Sequence, residues 1–308
     1  MQLGTKIALG VAAGLGLYLA TRKASAAASE PPLEPPSPSD PVTPPESVPP
    51  SQGTADLIGT TGKNWILTNK LAGKGSSTAA NMGWYFKGPT FGGQAFEASV
   101  SLPGVRVIQG IGTKHDAAHS DYSQQILLCS QTATYQGQQR RISDLLVDPE
   151  ASKLLSVEGP MQVLRQPGVP QLDAIATAPP ASAVTRADVL ALPDNLTKRH
   201  AIILSWAEQG LAEYDWVAVT TGDLTFYVMS DAMKFGGVRV NASATLEQQI
   251  ADRLDCSLMT ARMCDLTYAA ATRIIPPFPL GASAQMASTA WMVTESDKMD
   301  AALAKLSS

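Results

Sequence analysis

The sequence predicts an α+β protein: a membrane anchor helix, a Pro-rich linker, a mostly β domain, and an α+β domain with a small antiparallel sheet and several helices. Three observations lead there. Residues 7–20 are an uninterrupted apolar run, and residues 24–54 are dense in proline. Residues 55–166 alternate short apolar runs, rich in aromatic and β-branched side chains, with Gly and Pro turns. From residue 184 onward, helix caps and amphipathic stretches surround one clear hairpin signal.

In order, Ile7 to Ala20 is an apolar run preceded by Lys6 and closed by Thr21-Arg22-Lys23, close to the ~20 residues that span a bilayer. Two expectations stand. An uncleaved anchor is favoured, because Arg22 and Lys23 separate the run from the signal-peptidase-like Ala24-Ser25-Ala26. Cleavage there would instead give a secreted protein. Gly10 and Gly14 form a GxxxG, the spacing by which membrane helices pair, so a homo-oligomer through the anchor is a candidate assembly. In the linker, Pro31-Pro32, Pro35-Pro36, Pro44-Pro45 and Pro49-Pro50 fix φ and favour polyproline II. At ~3.1 Å per residue such a tether reaches on the order of 80 Å.

The first domain, 55–166, is expected to hold strands at Asn64–Thr68, Gly83–Lys87, Phe96–Leu102, Val105–Ile108 and Gln125–Thr134, with a hairpin return at Gln139–Ile142. Leu71 to Ser77 lacks the GxxxxGK[ST] pattern and is a loop, not a phosphate cradle. Asp148-Pro149 supplies a helix start. Residues 167–183 are a second linker. The last domain, 184–308, should carry a helix capped by Thr185, one preceded by Asn195 and helices beginning at Thr245 and Thr260, and a hairpin of Trp216–Thr220 with Leu224–Met229 across Thr221-Gly222-Asp223. A third strand, Val238–Val240, and a last helix from Ser283 to Lys305 follow. The Met286, Trp291, Met292 and Met299 set on that helix is packing.

The net charge of −4 in 308 residues argues against a nucleic-acid partner, which requires a basic surface. The three cysteines, Cys129, Cys256 and Cys264, form no CxxC and lie among apolar neighbours, so buried thiols are expected, with a Cys256–Cys264 bridge as the minor alternative.

Chemistry concentrates between Gly110 and Gln125, where His115, Asp116, His119, Asp121, Tyr122 and Ser123 fall together in a polar loop feeding an apolar strand. The candidate catalytic residues are His115, His119, Asp121 and Ser123. In one arrangement His115 and His119, at i and i+4, ligate a metal, and Asp121 completes or orients the set. In another, His115 is a general base, Asp121 orients it and Ser123 attacks. In a third, Asp and Ser satisfy backbone groups by capping, with no chemistry. The metal, if any, is left open, and no other cofactor is implied. Asp231 is a further candidate for a site between domains, and His200 is a partly exposed helix residue.

Asp121-Tyr-Ser123 with Ser156-Val-Glu-Gly-Pro160 downstream, and then Tyr227-Val-Met-Ser-Asp231, Ile250-Ala-Asp-Arg-Leu-Asp-Cys256 and Pro276-Pro-Phe-Pro279, together resemble an uncharacterised family of bacterial and phage proteins. That family carries a DYSHG-like segment. Gln124 stands where the pattern has histidine, so no role for a histidine there carries over, and the resemblance implies no established activity.

The expected function is a membrane-tethered hydrolase acting on an envelope polymer such as peptidoglycan, with its folded part extracytoplasmic. The alternative is a non-catalytic envelope or phage virion protein whose domains bind a partner. The anchor makes a direct prediction. The mature protein keeps its first residues by intact mass and fractionates with membranes, whereas a chain starting at Ala27 makes it secreted.

Overall fold

A computed structural model of the chain describes residues 55–59, 61–175, 183–281 and 283–306. The expected anchor and the Pro-rich linker up to residue 54 lie outside the described residues, as do 176–182 of the second linker. No helix among the described residues is long and apolar enough to cross a membrane.

The architecture is mixed α+β. The strands that matter for the site are β1 (Lys63–Leu67), β2 (Thr78–Lys87), β3 (Glu97–Ala98), β4 (Val105–Asp116), β5 (Cys129–Tyr135), β6 (Gln138–Arg141), β7 (Trp216–Thr221), β8 (Leu224–Met229), β9 (Cys256–Ser257) and β10 (Met259–Thr260). The seven described α-helices are α1 (Ile142–Val147), α2 (Ser152–Leu155), α3 (Arg186–Leu190), α4 (Leu196–Glu208), α5 (Ala244–Arg253), α6 (Ala261–Ala270) and α7 (Thr289–Leu306).

Two five-stranded sheets carry the fold. One has the order β10-β1-β2-β4-β3, with β10 parallel to β1 and the other pairs antiparallel. The other has the order β7-β8-β5-β9, with β6 also paired to β5. β5 gives one edge to β8 and divides its other edge between β6 and β9. Each sheet therefore takes strands from both sides of the 167–183 segment.

The expected boundary between two domains at that segment does not separate two cores. Leu128 and Val107 share one buried cluster with Phe226, Ile250 and Met263, and the described residues fall in a single compact unit. The near half of the expected linker packs as well. Val169 is buried, the Ile175 N–H donates to Arg253 O at 3.0 Å, and the Leu172 N–H reaches Asp252 Oδ2 at 3.0 Å. Proline density marked an irregular path, and that path runs over a continuous core.

Local signals explain most elements. Thr185 and Asp188 form a reciprocal capping box at α3, Asn195 caps α4, Thr260 caps α6, and Asp148 Oδ1 holds the N–H groups of Glu150 and Ala151 before α2. α5 starts at Ala244 behind a Ser243 cap, one residue before the expected start at Thr245. Three other expectations change. Phe96–Leu102 keeps only the two-residue β3, and Val238–Arg239 pairs with Lys234–Phe235 in a separate ladder. β4 continues through Gly110 and Gly112 to Asp116, where a loop was expected. All three cysteines are free and buried, so the Cys256–Cys264 bridge is not formed.

Because both sheets are shared, cleavage between residues 176 and 182 leaves two fragments that co-elute and unfold in one transition. Size-exclusion chromatography and calorimetry of the nicked protein check this; separate elution would restore two independent domains.

Candidate functional site

Gly62 and Gly83 set the geometry at the start of β1. A Cβ on Gly62 would lie 2.6 Å from Ser123 O, and one on Gly83 would lie 2.5 Å from Gly62 O. Glycine at both positions lets three backbones close on one another. The Lys63 N–H then donates to Ser123 O at 2.7 Å, and the Gln125 N–H donates to Lys63 O at 3.0 Å. Next to Gly83, Trp84 is held at φ 57°, a strained conformation for a bulky residue. Its ring covers the Lys63 ammonium at 5.4 Å and packs on Tyr122 at 6.0 Å.

The Asp121 side chain is 6% exposed and its two oxygens have separate work. Oδ1 accepts from the Ser123 N–H at 2.8 Å and from the Ser123 hydroxyl. Oδ2 lies 3.5 Å from Lys63 Nζ and 3.5 Å from His119 Nε2. Both Oδ2 contacts are long for hydrogen bonds, so they act as ion pairs more than as directed bonds. Burial raises the Asp121 carboxyl, but His119, Lys63 and the Ser123 donors outweigh it and hold Asp121 well below the usual carboxylate range. Burial lowers Lys63, and the neighbouring Asp121 opposes that shift.

The histidines do not sit on a helix. His115 is near the end of β4, opposite Ala79 of β2, and His119 follows a turn closed by its N–H to Asp116 O at 2.9 Å. Asp116 Oδ1 also caps the Ala118 N–H at 2.8 Å. Strand end plus tight turn bring the rings together, stacked with centroids 5.4 Å apart. Stacked imidazoles direct their in-plane lone pairs alongside each other rather than onto one ion. Among the described residues no group of three or more His, Cys, Asp or Glu is arranged to hold a metal. His115 packs edge-on to Trp65 at 5.8 Å; burial, then Lys63 and His119, lower its pKa.

The arrangement with His115 as base and Ser123 as nucleophile is not the one formed. It is His119 that approaches Asp121, and the buried Ser123 hydroxyl donates its hydrogen bond to Asp121 instead of to an imidazole. Asp231 is engaged elsewhere, accepting from Arg239 Nε at 2.9 Å and Arg239 NH2 at 2.6 Å, with Lys234 Nζ at 2.8 Å. His200 is half-buried, and burial with Arg199 beside it pushes its pKa down to about 4. Sequence reasoning missed Lys63 and Glu295. The one signal for Lys63 was a lone basic residue at the head of an apolar strand. Glu295 looked like any polar residue of an amphipathic helix.

Lys63 and Asp121 predict a stability effect with a sign. Asp121→Asn leaves the Lys63 ammonium buried without its anion, at a cost of about 3 kcal/mol, or roughly 6–12 °C in Tm for a chain of this size. Because the folded Asp121 pKa is depressed, the wild-type advantage is complete above roughly pH 4 and is lost as pH falls through the depressed value. Melting curves of both proteins across that range should show the gap closing. Comparison with protein-family models, curated proteins and solved structures gives no match to this chain.

Proposed function

We propose that this chain is a non-catalytic, tethered binding protein of a cell envelope or phage virion, in which residues 110–125 close the fold instead of performing chemistry. One observation carries the reading. Asp121 and Ser123 are buried and spend their polar atoms on each other, on Lys63 and on His119. A serine that donates to a buried, ionised aspartate has no base to activate it and no exposed face from which to attack. The anchor, the Pro-rich tether, an extracytoplasmic location and the phage-like segments are consistent with this role and are part of the proposal. The ligand-facing surface is the Pro276–Leu280 stretch. It borders two mainly apolar grooves, of about 650 Å³ against the end of α7 and about 310 Å³ beside Phe86 and Phe91.

A second reading rests on a different observation. His119 is 43% exposed with Nε2 towards the buried, ionised Asp121. An imidazole oriented by a carboxylate is a general acid–base device, and it supports a membrane-tethered hydrolase of an envelope polymer such as peptidoglycan. In that reaction His119 takes a proton from water at its outward nitrogen, and Asp121 stabilises the resulting imidazolium.

Purified full-length chain incubated with insoluble envelope polymer separates the two. The binding reading expects retention of the protein without release of soluble fragments, and loss of retention in Phe278→Asp with an unchanged Tm. Fragment release that falls by about 10²–10⁴ in His119→Ala, with the fold intact, would replace it with the hydrolase.

A further inference from the structure

Glu295 is a carboxylate on the buried face of α7, 1% exposed, with neither oxygen accepting a hydrogen bond from a described residue. It lines a small, partly open cavity of about 10 Å³ together with Ser123, Gln124 and Arg239. The Gln124 Nε2 group, also buried, has no acceptor among the described residues, while Gln124 Oε1 accepts the Asp121 N–H at 2.6 Å. An orphaned donor and two orphaned acceptors thus share a space that fits one water. The cavity lies on the seam between α7 and the 121–125 segment.

We infer that Glu295 is a pH-responsive latch, docked as the neutral acid around a single buried water bridging it to Gln124, and that its ionisation loosens α7 from the 121–125 segment. The charges around it favour this. On its own helix, Lys298 Nζ is 4.0 Å away and 41% exposed, a weak partner. From the facing ladder, Arg239 borders the cavity, but its guanidinium is held by Asp231 and by Asp300 at 2.7 Å. From the 121–125 segment come Tyr122, a neutral phenol pushed up to about 12 mainly by burial, and Asp121, already ionised and paired. No described neighbour offers an ionised Glu295 a direct hydrogen bond.

Burial pushes the Glu295 carboxyl up to about 7, with Lys298 opposing. A folded pKa above the unfolded one means the contribution to docking is full below the unfolded carboxylate range and is lost as pH rises through about 7. α7 has firm holds besides this one. Arg199 bonds Thr289 Oγ1 at 3.2 Å and Ala287 O at 2.7 Å, and Ser296 Oγ accepts the Arg239 N–H at 3.0 Å. Loosening is therefore local and leaves the sheets in place.

The test is amide hydrogen exchange of residues 289–306 in the full-length protein, corrected for intrinsic rates, between about pH 5.5 and about pH 8.5. Wild type should lose protection by roughly tenfold or more across that range, with a midpoint near 7. Glu295→Gln should stay protected throughout. Should that variant not fold, Lys298→Met serves: removing the cation that pairs with Glu295 moves the midpoint to higher pH. Protection that is independent of pH in wild type, an equal loss in Glu295→Gln, or an unmoved midpoint in Lys298→Met, overturns the latch.

Discussion

The fold depends on threading an irregular, buried segment, Asp121–Leu128, between two sheets. Such a segment has no ladder of its own, so its backbone groups must be satisfied one at a time. Lys63 bonds it through the Ser123 carbonyl and the Gln125 N–H. Asn241 Nδ2 reaches Asp121 O at 2.7 Å, and the Ala242 N–H reaches Gln124 O at 3.1 Å. Further along, the Met233 N–H donates to Ile126 O at 2.9 Å, the Leu127 N–H to the buried carboxyl of Glu247 at 3.0 Å, and the Met229 N–H to Leu128 O at 3.1 Å. These partners come from both ends of the sequence. Neither the first strands nor the later helices can close without this segment in place, and it in turn has no stable path without them.

That dependence explains what was legible in the sequence. Elements defined by their neighbours in the chain were readable: the α3 capping box, the Asn195 and Thr260 caps, the hairpin across Gly222-Asp223, and the turn at Gln136-Gly137. Pairing between distant segments was not. Val217 and Val228 announce a hairpin, but nothing local says that β8 lies against Ala133 of β5 rather than closing a sheet of its own. Gly110 and Gly112 argued for a loop because glycine weakens strands. In β4 the Glu97 side chain lies over Gly110, so the missing side chain is a condition of packing rather than a break.

The same holds for the candidate site. Clustering of His, Asp and Ser between 110 and 125 was visible, but their roles were set by a residue some sixty positions earlier. Lys63 brings a buried positive charge to Asp121, and that fixes the carboxylate as an ion before any histidine is considered. His115 then rests against Trp65 and His119 meets Asp121, which reverses the order that spacing alone suggested. Spacing on a helix carries directional information; spacing across a strand end and a turn does not, until the turn is known.

Buried charge is handled in three ways in this protein, and the differences matter for function. Asp231 and Arg239 are matched by bidentate geometry and reinforced by Lys234 and Asp300, an arrangement that fixes one conformation. Asp121 is matched less directly, with Lys63 and His119 at 3.5 Å and Ser123 completing the shell, so its stability comes from several moderate contacts. Glu295 is not matched at all beyond Lys298 at the limit of an ion pair, and burial raises its pKa. The first kind makes a scaffold and the second a closure. The third makes the contact between α7 and the closure segment the most pH-sensitive of the three. Glu295 lines the same small cavity as Tyr122, whose ring packs on Trp84 and Trp291 and whose hydroxyl accepts the Leu280 N–H at the edge of the apolar groove. A change at Glu295 therefore has a short physical route to the surface proposed for binding, through one aromatic side chain and one backbone hydrogen bond.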